Sequence, residues 1–227
     1  MNVLLIAGLW LDASVWDPVA AELRRRDHRP VAISLPGQGA RASDPTLADQ
    51  HAAVLTAIDS AAGDVLVVGH SAACTLAWMA ADARPDRVAR VVMIGGFPSG
   101  EGTAYADFFP LVDGVMPFPG WEEFAGPDSA DLDAQQRETI AAGAMPVPGN
   151  VAQGIVHLSD ARRHDIPVTI ICPEFSPDQA REWVDVGQVP ELAQASRVEY
   201  VDIDSGHWPM ITRSTELAHL IDTAADA

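Results

Sequence analysis

Hydrophobic residues along this chain come in short unbroken runs separated by longer stretches of helical spacing. Val3-Leu4-Leu5-Ile6-Ala7 is apolar throughout and ends at Gly8, the pattern of a strand buried on both faces. Ser14 to Arg26 carries apolar residues at Val15, Val19, Ala20 and Leu23, a helical repeat with Pro18 in the first turn, where proline is tolerated. Pro30 to Ser34 reads as a second strand, closed by the turn-rich Leu35-Pro36-Gly37-Gln38-Gly39. Leu47 to Ala62 places Leu47, Val54, Leu55 and Ile58 on one helical face. Val65-Leu66-Val67-Val68 is a third strand, Ala72 to Ala83 a helix stopped by Pro85, and Val88 to Gly95 a fourth strand.

Strand and helix alternate to this point with short connections, which predicts a parallel sheet wrapped by helices. The rhythm then breaks. Residues 97–165 show no clear strand and are rich in Pro, Gly and bulky apolar side chains: Phe108, Phe109, Met116, Phe118, Trp121, Phe124 and Met145. Asp131 to Ala142 reads as an amphipathic helix within them. The alternation resumes at Ile166-Pro167-Val168-Thr169-Ile170-Ile171-Cys172. Ser176-Pro177-Asp178-Gln179 opens a helix with a capping-box signature. Arg197 to Ile203 is the last strand, and a helix over about Thr212 to Thr223 ends the sequence. The expectation is an α/β fold with a six-stranded parallel sheet and helices on both faces. Its core is formed by residues 1–96 and 166–227, and residues 97–165 are an inserted helical cap.

Composition narrows the partners. The 227 residues carry 32 acidic and 14 basic side chains, a net charge of −18, and every basic residue is an arginine. Such a surface argues against nucleic acid and anionic membranes, both of which need a positive patch. Arg24-Arg25-Arg26 is the one basic run, and flanking Glu22 and Asp27 make it a solvated helix end. The two cysteines, Cys74 and Cys172, have no metal-ligand spacing and read as buried thiols. No metal or cofactor is called for, no secretion signal or membrane span is evident, and a cytoplasmic protein acting on a small molecule is expected. Oligomeric state is left open.

The candidate chemistry centres on Gly69-His70-Ser71-Ala72-Ala73, which follows a buried strand and precedes a helix. A serine at such a turn is forced into a strained backbone conformation, with its hydroxyl above the carboxyl edge of the sheet. Its bland alternative is an ordinary helix cap. Residues just after different parallel strands converge at that edge. Of seven histidines, His207 is the one that follows a strand end there, in Gly206-His207-Trp208. The acid should follow the strand ending at Cys172. Asp178 has an ordinary role in a first helical turn, whereas Glu174 is the first carboxylate past the strand. Ser71, Glu174 and His207 are thus expected as nucleophile, acid and base. The backbone N–H groups of Ala72 and Leu9 are expected to stabilise an oxyanion, although Gly8 before Leu9 could equally mark a simple turn. Trp10, Phe108, Trp121 and Trp208 are expected to line a substrate pocket.

With these residues in place, the chain resembles the α/β-hydrolase superfamily over nearly its whole length, in a reduced form lacking two N-terminal strands. The marks are Ala7-Gly8 with Trp16 downstream, the Leu35–Gly39 loop, the Ser71 elbow and Gly206-His207. Ile171-Cys172-Pro173-Glu174 is similar to the plant-type esterase and hydroxynitrile lyase branch. That branch commonly carries an aspartate one residue later, where this chain has Phe175. The resemblance therefore also admits an acid on the earlier strand, with Glu101 the nearest candidate. It implies a serine esterase acting through an acyl-enzyme on a small, largely apolar ester, thioester or lactone. Ser71 rules out the superfamily's aspartate-nucleophile chemistry, and the absence of lysine rules out the plant-type lyase mechanism. A non-catalytic ligand-binding protein and a carbon–carbon bond hydrolase are the alternatives.

Overall fold

The unbroken apolar runs become the interior of a single sheet in the computed structural model, which describes residues 1–38 and 44–226. Gly39 of the turn-rich loop lies outside the described residues. In chain order the elements are β1 (Asn2–Ile6), a 3-10 turn (Ala13–Trp16), α1 (Asp17–Arg25), β2 (Arg29–Ala32), α2 (Leu47–Ser60), β3 (Val65–His70), α3 (Ala73–Ala83) and β4 (Val88–Ile94). The stretch that follows holds β5 (Val115–Met116), a 3-10 turn (Gly126–Ser129), α4 (Ala134–Gly143), β6 (Val147–Pro148) and α5 (Gly149–Ala152). Then come β7 (Val168–Cys172), α6 (Pro177–Asp185), β8 (Val198–Asp202), α7 (Pro209–Thr212) and α8 (Ser214–Asp226).

Six strands pair in the order β2-β1-β3-β4-β7-β8, all parallel. Successive side chains of the central strands serve opposite faces, which is why these strands are apolar almost throughout, with Arg90 of β4 and Thr169 of β7 bonded to each other. Leu4, Ile6, Val65, Val67, Val91, Met93 and Ile170 pack with α2, α3 and α6. Val3, Leu5, Leu66, Val68, Val92, Ile94 and Ile171 pack with α1 and α8. Each such side chain, buried from water, contributes about 1.5–3 kcal/mol.

Strand order reverses between β1 and β3, so a crevice opens beyond their carboxyl ends. Gly8-Leu9-Trp10 leaves β1 there and Ser71 leaves β3. The expected helix from Ser14 begins as a 3-10 turn capped by Asp12, and the last helix, α8, is preceded by the short α7, with Arg213 between them. The capping box at Ser176 and Gln179 forms as expected, with Pro177 opening α6.

The insertion between β4 and β7 departs most from the sequence reading. It contains a two-residue antiparallel ribbon, β5 with β6, too short for alternation to register. Its helix α4 starts at Ala134, capped by Asp133, and buries none of its residues, so it is not the amphipathic element expected over 131–142. Ile140 alone rests partly against the core.

Candidate active site

Ser71 occupies the left-handed region, with φ +56°, at the turn from β3 into α3. A non-glycine residue held there stores about 1–3 kcal/mol, which the surrounding bonds must offset. Ser71 N donates to Ile94 O (2.8 Å), and Cys74 N donates to Ser71 O (3.0 Å). Three glycines make room for the turn. A Cβ on Gly69 would approach the Ala73 carbonyl carbon to 2.7 Å and Cys74 Cα to 2.8 Å. One on Gly96 would come within 2.7 Å of Ser71 O, and one on Gly8 within 3.0 Å of Ser71 Cβ. The small residues of the pattern are thus demanded by backbone approach.

His207 is held at three atoms by three different parts of the chain. Its N–H donates to Asp128 O of the insertion (2.7 Å). Its carbonyl accepts from His70 Nε2 (2.7 Å), and its Nδ1 donates to Glu174 Oε1 (2.7 Å). Gly95 lies against the ring, where a Cβ would be 3.2 Å from Nδ1. The His207 and Glu174 side chains are 12% and 14% exposed, so their ion-pair interaction is only partly screened. Glu174 Oε2 has no hydrogen-bond partner among the described residues. Burial, and then the neighbouring Glu174 charge, raise the Asp128 carboxyl above its ordinary range.

The other acids lie elsewhere. Glu101 accepts from Leu158 N and faces His157 (3.6 Å), while Asp178 is exposed and pairs with Arg181 (2.8 Å). Phe175 stacks on Phe97 (5.5 Å, 27°) and meets Trp183 edge-on, so the position after Glu174 points into an apolar cluster. The two cysteines are buried, and burial pushes both thiols up to about 12, which leaves them un-ionised near neutrality. Among the described residues no three His, Cys, Asp or Glu side chains gather as a metal site would.

Neither the Leu9 nor the Ala72 N–H has an acceptor among the described residues. Trp10, next to Leu9, also has a positive φ, +62°. It lines a cavity with Leu9, Leu35, Tyr105 and Met145 and is at the same time a buried post. Its Nε1 donates to Met116 O (3.2 Å), its carbonyl accepts from Met145 N (3.0 Å), and its indole touches Phe109, Phe118 and Phe124. Trp208 is buried against Trp121, Phe124 and the His207 ring. Phe124 also lies nearly parallel to that ring (6.4 Å, 24°). Phe108 is 61% exposed, and it is its neighbour Phe109 that meets Trp10 in the aromatic cluster. The tight turn in which Phe108 N bonds Ala106 O (2.8 Å) sends adjacent side chains apart. Sequence reasoning assigned no contact to His70 or Asp128. A histidine ending an otherwise apolar strand was the available signal for the first, and no comparable signal marks the second.

The fold recurs in solved structures. An extracellular α/β-hydrolase from a Paenibacillus species, described as sharing structural and functional homology with tobacco salicylic acid binding protein 2, superposes with a TM-score of 0.81. It is 20% identical, and the match covers 99% of this chain and 98% of that one. The methylesterase MES16 from Arabidopsis gives 0.77 at 14% identity, covering 100% and 99%. A pyrethroid hydrolase from Sphingobium faniae JZ-2 gives 0.73 at 19% identity, covering 100% and 98%. At these identities the likeness is one of fold. A search of curated proteins finds no match. Among the described residues no helix is long and apolar enough to cross a membrane. The family model described as "Alpha/beta hydrolase family" matches residues 3–220. The chain therefore belongs to the α/β hydrolase family, and hydrolysis is its general class of chemistry.

Proposed function

We propose that this protein is a serine hydrolase that cleaves a small, largely apolar ester, or a thioester or lactone, through an acyl-enzyme. The observation that carries the reading is the 2.7 Å bond from His207 Nδ1 to Glu174, in a fold that turns Ser71 outward at φ +56°. A serine hydroxyl becomes an effective nucleophile only when a base takes its proton during attack. With Nδ1–H committed to Glu174, the lone pair of His207 is on Nε2, the atom left to receive that proton. Glu174 then stabilises the imidazolium. The Leu9 and Ala72 N–H groups, without acceptors among the described residues, are suited to the oxyanion of the tetrahedral intermediate. His207 returns its proton to the leaving alcohol, and water repeats the sequence to release the acid.

Residues 97–165 act in this reading as the cap that supplies the apolar wall, with Phe109, Phe118 and Phe124 meeting Trp10. Burial of apolar substrate surface against these rings supplies binding energy, and the net charge of −18 disfavours anionic substrates at long range. A methylesterase among the fold neighbours fits an ester substrate. Purified protein is expected to hydrolyse p-nitrophenyl acetate and to be labelled by a fluorophosphonate at Ser71, with both lost in Ser71→Ala. Wild-type protein that neither turns over short esters nor takes the label overturns the proposal.

A further inference from the structure

The histidine inside the elbow motif has no part in the chemistry above, yet it is almost wholly buried and bonded to the other half of the candidate site. We propose that His70 is a positioning residue for His207, holding that residue's backbone carbonyl in register with Ser71. The inference rests on the reading of Ser71, His207 and Glu174 given under Proposed function.

A carbonyl can only accept, so the 2.7 Å contact from His70 Nε2 to His207 O puts the ring proton on Nε2. Nδ1 is then a bare lone pair, buried, with no partner among the described residues. A Cβ on Gly8 would lie 2.8 Å from it, so the ring is wedged between the loop after β1 and the loop after β8. The His70 and His207 rings are 4.8 Å apart. Leaving Nδ1 unsatisfied costs about 1–3 kcal/mol, which a phenyl ring in the same space would not incur. What that cost obtains is a bond no apolar side chain can make.

The bond's place in the chain gives it its effect. His70 is covalently joined to Ser71, so the nucleophile and the His207 carbonyl are tied to one rigid strand end. The other two anchors of His207, Asp128 O and Glu174 Oε1, come from the insertion and from the loop after β7. Burial, reinforced by the charge His207 can carry, keeps the His70 pKa well below the ordinary value. The ring is a neutral, constant donor near neutral pH.

Two substitutions separate this role from simple packing. His70→Phe keeps a ring of similar size and removes the donor; His70→Gln keeps an N–H at a similar reach. Both would be compared with wild type and Ser71→Ala for kcat and KM on p-nitrophenyl acetate, and for thermal melting. Misplacement of a reacting group by about 1 Å costs on the order of 100-fold, so His70→Phe should lower kcat by about 10- to 100-fold with KM changed less than about twofold. His70→Gln should stay within about threefold of wild type. A fully active His70→Phe beside an inactive Ser71→Ala overturns this inference alone. So does a folded His70→Gln that has lost tenfold or more, which keeps the test decisive if the Phe variant does not fold. A Ser71→Ala variant with wild-type turnover overturns the triad reading, and this one with it.

Discussion

Replacing Glu174 by glutamine removes one negative charge while keeping side-chain length and an oxygen for His207 Nδ1. When the imidazole takes the serine proton it becomes a cation, and the carboxylate beside it lowers the energy of that state. The 2.7 Å bond places the two charge centres about 4 Å apart, where a unit pair interacts by about 4 kcal/mol at an effective dielectric of about 20. That dielectric suits side chains only 12% and 14% exposed. At about 1.4 kcal/mol per decade, losing 4 kcal/mol lowers kcat about a thousandfold. The amide has a second way to do harm. Turned over, its NH2 donates to Nδ1, moves the ring proton to Nε2, and leaves no lone pair for the Ser71 proton. Glu174→Asp tests distance instead of charge: one methylene fewer withdraws the carboxylate by about 1.5 Å, with an expected loss of about 100-fold. Steady-state kcat and KM on p-nitrophenyl acetate would read both variants. A loss under about tenfold in both refutes the reasoning, and a large loss in Glu101→Gln beside it would move the orienting acid to the loop after β4.

Two further outcomes follow from the same packing. Gly69→Ala drives a methyl into the Ala73 and Cys74 backbone, and overpacking of this kind costs about 1–3 kcal/mol. In a domain of this size that lowers the melting temperature by about 2–12 °C, and an unchanged melt would show that the strand and helix can separate at the elbow. His70, with its pKa held low in the folded state, takes a second proton in mild acid only when the chain unfolds. This group leaves stability unchanged above about pH 6.5 and erodes it below, by about 1.4 kcal/mol per pH unit for a single site. Urea titrations from pH 7 to 5 should show His70→Gln losing less stability than wild type; parallel curves would remove His70 as an acid-sensitive group.

The sheet was legible because a strand buried on both faces must be apolar at every position, and Val3–Ala7 and Val65–Val68 can hardly be anything else. The candidate site was legible from topology, since parallel strands deliver Leu9, Ser71, Glu174 and His207 to one edge. The sequence favours Glu174 as the first carboxylate past β7; that it bonds His207 while Glu101 bonds Leu158 N is a matter of how the loops turn, which the sequence does not encode. The insertion resisted for a different reason. Its ribbon is two residues long, α4 buries nothing, and the choice between Phe108 and Phe109 is made by one tight turn at Ala106. None of these leaves a period in the sequence. The contact of Asp128 with His207 was hidden, since it joins two backbone atoms that any residue carries, and that of His70 was marked only by a histidine ending an apolar strand, its acceptor again being backbone.

The insertion is stitched to the floor of the site at the places where order matters most. Trp10, beside Leu9, is tied to Met116 and Met145, and His207 N–H is tied to Asp128 O. If residues 97–165 cap the proposed site, a ligand too bulky to fit beneath them is expected to strain these bonds and with them the loops that carry Leu9 and His207. For the esterase proposed above, size exclusion and catalytic geometry thereby become a single variable: an oversized ester is expected to enter slowly and, once in, to face a less ordered site. Discrimination of that kind falls more on kcat than on KM, and it sharpens with each methylene beyond the size the closed arrangement admits.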